Sequence, residues 1–251
     1  METVKRRSFQ GVFNIIRFNR HYYLLMGLIL VGMYYFMNHS PAGFHRIWKF
    51  IMLLGLGTVI LSLVVSYFIY DYSSFYSLDW TKVLQIQPGM RIANIHAGFD
   101  ETSEIMVSKF PGTAFFVYDF YDPEKHTELS IKRARQAYPP FPGTVRIQTT
   151  DQVLPEKNLD YIFLIFAAHE IRDASERRAF FRTLRGGLNK DGRILVVEHT
   201  RDIINFLAFS IGFLHFFSFH SWLRVFTNAS LRLESKKKIN PFVTLYILTP
   251  S

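Results

Sequence analysis

Two uncharged apolar runs near the N-terminus constrain the fold before anything else. Tyr22–Met37 (YYLLMGLILVGMYYFM) carries no charged side chain, and Phe50–Tyr70 (FIMLLGLGTVILSLVVSYFIY) continues for 21 residues without one. A helix crosses the bilayer hydrocarbon in about 20 apolar residues. The second run therefore has the length of a span. The first is slightly short, but tyrosines stand at both its ends, as interfacial anchors do. The pair predicts a two-helix transmembrane anchor over 21–70. A buried helical hairpin in a soluble protein is the competing reading. A cleaved leader fits poorly, because two runs are present and no small-residue cleavage site follows the first.

The basic residues orient this anchor. Lys5, Arg6, Arg7, Arg17 and Arg20 precede the first run, whereas the loop 38–49 holds only Arg46 and Lys49. The more basic side stays in the cytoplasm, so two crossings return the chain there after Asp71. The reading is a basic cytoplasmic N-terminus (1–20), the anchor, a linker (71–87) and a cytoplasmic domain (88–251). The net charge of +9 fits an anionic partner, and beside apolar spans the membrane surface is a better match than nucleic acid. With no cysteine, disulfides and thiolate metal sites are excluded.

From about residue 88 short apolar runs alternate with polar helical stretches. Strands are predicted over Arg91–His96, Ala114–Asp119, Val145–Thr150, Tyr161–Ala168 and Arg193–Glu198, with helices over Glu101–Lys109, Glu124–Ala137 and Ala174–Leu188. Leu231–Lys236 and Phe242–Leu248 are predicted to form a closing antiparallel pair. Such alternation implies an α/β, Rossmann-like doubly wound sheet with a terminal antiparallel strand. Ligands of these sheets bind at the carboxyl ends of the strands. That rule selects His96–Ser103, Asp119, Asp151, His169 with Glu170, and Glu198 with His199.

These residues carry a resemblance. Across 88–251 the order of elements is similar to that of class I S-adenosylmethionine-dependent methyltransferases. Asp119 lies 21 residues beyond Gly98, the spacing of the acid that grips ribose hydroxyls. TTDQVLP (149–155) resembles the segment whose acid approaches adenine. LDYIFLIFAAHEIRD (159–173) and LRGGLNKDGRILVVEH (184–199) resemble the ubiquinone/menaquinone methyltransferase-like group. In the loop RIANIHAGFDETS, Asn94, His96 and Asp100 replace the acid and two of the glycines of the usual pattern, and Gly98 remains. An acidic loop opposes a pyrophosphate at the helix N-terminus but not a sulfonium. The resemblance implies S-adenosylmethionine as cofactor, held by His96, Ala97, Gly98, Asp119, Phe120, Asp151, Gln152 and Ala167.

If the methyl acceptor is a hydroxyl or an acidic carbon, a base assists. His169 and His199 are the candidates, with Glu170 beside them. Glu198, His215 and His220 are candidates for the substrate side. HEIRD is not a zinc helix, since Asp173 stands where a second histidine is needed, and no metal is expected. Ile203–Leu223 has no Lys, Arg, Asp or Glu. It reads as a lid or interfacial helix rather than a third span, which would separate the last two strands from their sheet. The combined expectation is a membrane-anchored methyltransferase for a lipophilic small molecule or lipid, with O-methylation slightly preferred. The alternative is a non-catalytic scaffold with a degenerate cofactor loop. A tethered RNA methyltransferase is a weaker reading, because the basic residues are not clustered.

Overall fold

The computed structural model describes residues 6–125 and 128–251. Lys5, one of the orienting basic residues, lies outside them, as do two residues of the helix predicted over Glu124–Ala137. Three helices open the chain: α1 (Gln10–Phe18), α2 (Arg20–His39) and α3 (His45–Tyr67), the last prolonged by a π-helical turn, Phe68–Tyr72. A seven-stranded sheet follows, made of β1 (Arg91–His96), β2 (Ala114–Asp119), β3 (Val145–Arg146), β4 (Leu159–Ile165), β5 (Leu188–His199), β6 (Leu231–Asn240) and β7 (Val243–Pro250). Its order is β3-β2-β1-β4-β5-β7-β6, with β7 antiparallel to both neighbours. The connecting helices are α4 (Ser103–Lys109), α5 (Leu129–Ala137), α6 (Ala174–Gly187), α7 (Ile203–Phe209) and α8 (Phe219–Asn228). β3 is shorter than its sequence pattern implies, because beyond Arg146 the chain turns on Asp151, whose carboxylate accepts from the Gln148 N–H.

Period-two alternation divides the sheet's side chains between two cores. Ala93, Ile95, Ile162, Leu164, Ile194 and Val196 face α6 and α8, where Phe180, Phe181, Trp222 and Phe226 are fully buried. Ile92, Phe163, Leu195, Val197, Leu245 and Ile247 face the other way, onto Met106 of α4 and onto Val65, Ile69, Phe75 and Leu78. The end of the N-terminal hairpin is thus part of the domain. Phe75 and Leu78, in the stretch read from sequence as a linker, each bury an apolar side chain worth about 1.5–3 kcal/mol.

The rest of the hairpin packs differently. Leu28 in α2 is 70% exposed and Leu53 in α3 is 68% exposed, as are most of their apolar neighbours. Among the described residues one helix, Ala42–Ser77, is long and apolar enough to cross a membrane. The predicted pair of spans is therefore reduced to one by that measure. α2 has 20 residues, yet Arg20, His21, Asn38 and His39 lie inside it and shorten its apolar part. Both ends of the hairpin are docked on the domain. The Gly11 and Val12 N–H groups of α1 donate to Asp71 at 2.8 Å, Asn14 of α1 bonds Tyr138, and Tyr70 bonds His199. Ile203–His215 is a second, shorter apolar helical stretch. It is too short to span, and Ile203, Leu207, Ile211 and Leu214 are exposed, whereas the end of the predicted element, from Phe219, belongs to α8, whose Trp222 is buried in the core.

Candidate functional site

The loop after β1 is built around Gly98, whose φ is +91°, in the left-handed region that favours glycine. Asp100 then caps α4: its Oδ1 accepts from the N–H groups of Thr102 and Ser103 at 2.9 Å, satisfying two donors the helix leaves unpaired. Asn94 supports the same turn through the hydroxyls of Thr102 and Ser103. The departures from the glycine-rich pattern thus form one hydrogen-bonded turn, with Asn94 inside it and Asp100 as its cap.

β1 and β2 run in parallel with His96 opposite Asp119, so both project at the carboxyl edge. His96 is 4% exposed. Its Nδ1 accepts from the Gly98 N–H at 3.1 Å and lies 3.7 Å from Asp119 Oδ1. Burial lowers its pKa, against the opposing pull of Asp100 and Asp119, so the ring is neutral with its proton on Nε2. That buried Nε2 has no partner. Asp119 accepts from the Tyr121 N–H through Oδ1 and from Arg135 through Oδ2 at 2.5 Å. Arg135, on α5, lies over the Tyr121 ring and fills the space in front of Gly98. A Cβ added there would stand 2.7 Å from Arg135 Nη1. Gly98→Ala should therefore cost about 1–3 kcal/mol through backbone strain, measured by chemical unfolding; an unchanged midpoint would contradict this geometry.

Helix α1, unassigned in the sequence reading, lies across this edge. Arg6, Gln10 and Asn14 all donate to Glu101 Oε1, and Phe18 meets Phe99 and Tyr138 edge to face. The amphipathic spacing of Gly11, Asn14 and Phe18 was the available signal for it.

The remaining predicted cofactor residues divide. Ala97 is buried in the loop and Ala167 in the core. The Phe120 ring packs on Phe180, and its backbone N–H donates to the His96 carbonyl. Asp151 closes its own turn and Gln152 is exposed. The side chains of Phe120, Asp151 and Gln152 are structural in this arrangement, not part of the β1–β2 edge.

A second polar cluster follows β4 and β5. His169 lies in a 3₁₀ turn, Ala168–Glu170, after Phe166, whose φ of +50° bends the chain off the strand. Its Nδ1 is 2.7 Å from Glu198 Oε2, its backbone N–H donates to Glu198 Oε1, and its Nε2 is 3.1 Å from Glu170 Oε1. Burial lowers the His169 pKa, but the Glu198 and Glu170 carboxylates overcome it and hold the group well above the ordinary imidazole value. As it stands His169 is an imidazolium, not a free base. His215 approaches from the 3₁₀ turn Ser210–His215, with Nδ1 3.2 Å from Glu128 Oε1. A cavity of about 240 Å³ between α2 and α5, lined by His21, Tyr22 and Glu128, opens beside this pair.

His199 is corrected. On a strand, adjacent residues point to opposite faces, so Glu198 joins the His169 cluster while His199 enters the other core. There its Nδ1 donates to the Phe242 carbonyl and its Nε2 accepts from Tyr70, between the stacked rings of Phe166 and Phe216. Both nitrogens are engaged, and burial lowers its pKa to about 3; it is a structural histidine. His220 is exposed on α8 beside Arg224, on a different surface. Of the predicted base set Glu170 remains, with the His169 imidazolium as its charged partner and Glu198 and His215 beside them.

His199 also sets a pH dependence. Its folded pKa lies below its unfolded value of about 6.5, so between these two the unfolded chain binds a proton that the folded chain excludes. Stability is lost as pH falls through this window, and His215, lowered by burial to about 4, adds to it. His169 has the opposite sign: its stabilisation is complete below about pH 6.5 and is lost as pH rises through its raised folded value. Thermal unfolding in detergent should fall from pH 6.5 to 4.5, and His199→Asn should flatten that slope. An unchanged slope would contradict the buried neutral ring.

No family model matches the chain, and no curated protein matches it in sequence. Solved structures do. An O-methyltransferase family 2 protein from Planctomyces limnophilus, in complex with apigenin, superposes with a TM-score of 0.52 at 14% identity, covering 77% of this chain and 62% of its own. The chain thus spans about three fifths of that protein. An S-adenosylmethionine-dependent methyltransferase from Clostridium acetobutylicum gives 0.49 at 10% identity over 71% of this chain and 90% of its own. A TehB-like S-adenosylmethionine-dependent methyltransferase from Corynebacterium glutamicum gives 0.45 at 15% identity, over 65% and 82%. The domain has the α/β fold of S-adenosylmethionine-dependent methyltransferases, with a mixed seven-stranded sheet.

Proposed function

We propose that the chain is a membrane-embedded S-adenosylmethionine-dependent methyltransferase acting on a lipophilic small molecule or lipid, with oxygen the favoured acceptor atom. The observation that carries this reading is the buried Asp119 carboxylate at the end of β2, opposite His96 of β1 and beside the left-handed Gly98 turn, with the buried His96 Nε2 left without a partner. These groups fit the cofactor's chemistry. Asp119 would hold the ribose hydroxyls, and the backbone of Ala97 and Gly98 would line the approach. Bound there, the cofactor supplies a methyl group on a sulfonium. Arg135 must first leave Asp119. Its side chain is 24% exposed against 4% for Asp119, so water reaches the pair only from the Arg135 side, and displacing the guanidinium costs about 1–2 kcal/mol.

The chain's own residues do the rest. The cavity at His21, Tyr22 and Glu128 lies at the start of α2, and Glu128, which lines it, also contacts His215. A lipophilic acceptor would reach the His169–Glu170 cluster, and its hydroxyl proton would pass to the Glu170 carboxylate while the O–H bond breaks and the oxygen takes the methyl group. Positioning supplies much of the rate. The hairpin is read as two crossings. Both its ends are docked on one domain, so a single crossing would tear one of them away. With a rise of 1.5 Å per residue, the apolar part of α2, Tyr22–Met37, reaches about 24 Å, and a bilayer thins locally around a short span. The basic residues before α2 put the domain on the cytoplasmic side.

Full-length protein in nanodiscs, supplied with methyl-tritiated S-adenosylmethionine and a total lipid extract, should move label into the organic phase, and Asp119→Ala should reduce this at least tenfold. Equal labelling by the two proteins would overturn the reading. Alkaline carbonate should leave the protein in the membrane pellet; release into the supernatant would contradict the hairpin. A second reading, the non-catalytic scaffold, is favoured by the Arg135–Asp119 pair: a chain that has abandoned its cofactor can close the edge with its own cation.

A further inference from the structure

We propose that His169, Glu170 and His215 form a binding site for a divalent transition-metal ion of the zinc class. The three side chains come from two turns 45 residues apart in sequence, and one donor atom from each lies within 4.8 Å of the others. His169 Nε2 is 3.1 Å and His215 Nε2 is 3.9 Å from the same atom, Glu170 Oε1. A tetrahedral zinc with bonds of about 2.0–2.1 Å requires donors about 3.3 Å apart; the 3.1 Å separation meets this and the 3.9 Å separation is wider, so His215 must move inward on binding. The rings stand 81° apart with centroids separated by 5.0 Å, so the two nitrogens approach a shared point from different directions.

An independent observation concerns the far side of each ring. His169 Nδ1 is held by Glu198 at 2.7 Å and His215 Nδ1 by Glu128 at 3.2 Å. A carboxylate behind a histidine fixes the ring's orientation, puts the proton on Nδ1 and leaves Nε2 as the metal donor; most histidine ligands are supported in this way. Both histidines here have that support, from two different elements. The carboxylates of Glu128, Glu170 and Glu198 also provide three negative charges against which a dication is favourable. Two nitrogens and one oxygen leave open coordination positions. The site rests on this geometry alone and does not depend on the methyltransferase reading. If that reading holds, an open position would take the acceptor's oxygen and lower the pKa of its hydroxyl.

The test is metal binding by the untagged full-length chain in detergent, stripped with chelator and titrated with Co²⁺ and Zn²⁺ at pH 7.5. One equivalent should bind per chain, and Co²⁺ should give the visible bands of a low-coordinate nitrogen–oxygen site. His215→Ala should weaken binding at least tenfold with an unchanged circular dichroism spectrum, and Glu170→Gln should do the same. No binding above a nonspecific background would overturn the proposal, as would binding that both variants retain.

Discussion

Glu198→Ala is expected to lower the unfolding free energy by about 3–5 kcal/mol, the cost of removing one partner from a buried ion pair. Glu198 is 1% exposed and holds His169 twice, through the imidazole and through the backbone N–H. Without it a buried imidazolium faces Glu170 alone, and the 3₁₀ turn after β4 loses its anchor to β5. Glu198→Gln retains an acceptor for one of the two bonds, so it should cost less, about 1–2 kcal/mol. Urea unfolding of the detergent-solubilised chain measures both. Equal stability of wild type and Glu198→Ala would remove this pair from the account.

Arg135→Ala should tighten binding of S-adenosylhomocysteine by about 5- to 30-fold. In the closed arrangement Arg135 competes with a ligand for Asp119, and apparent affinity is reduced by the fraction of molecules in which that contact is made. Removing the competitor returns the 1–2 kcal/mol estimated for the pair, which is roughly that factor in affinity. Arg135→Lys should fall between, because an ammonium cannot reproduce the planar guanidinium contact with Tyr121. A weaker affinity in Arg135→Ala would mean that the guanidinium assists the ligand.

The doubly wound domain was legible because its strands are short apolar runs between polar helices; β1 and β2 were bounded correctly, whereas β3 ends early at Arg146, β4 ends at Ile165 and β5 begins already at Leu188. Asp119 and His169 followed from the position of β2 and β4. What sequence could not give was pairing between distant elements. Arg135 reads as one of several cations on a polar helix, and only the fold brings it to Asp119. Glu128 and His215 lie 87 residues apart, and neither has a local pattern that marks it as a partner of the other. The HEIRD segment was dismissed as a metal motif because one helix face lacked a second histidine; the fold brings His215 beside it from the turn after α7, a pairing that no local spacing marks. His199 is a different case. Its neighbour Glu198 occupies the other face of β5, so period-two alternation already forbade both from serving one site. The hairpin was visible as apolar runs, but its shared docking with α1 was not.

The measurement that bears most directly on the account is calorimetric titration of S-adenosylhomocysteine into the wild-type chain and Asp119→Ala, both in nanodiscs, with Arg135→Ala alongside. One saturable site in the wild type, weakened at least thirtyfold by Asp119→Ala and strengthened by Arg135→Ala, is the predicted result. Absence of binding in all three proteins would contradict it and leave the closed edge of β1 and β2 as the resting form of a scaffold.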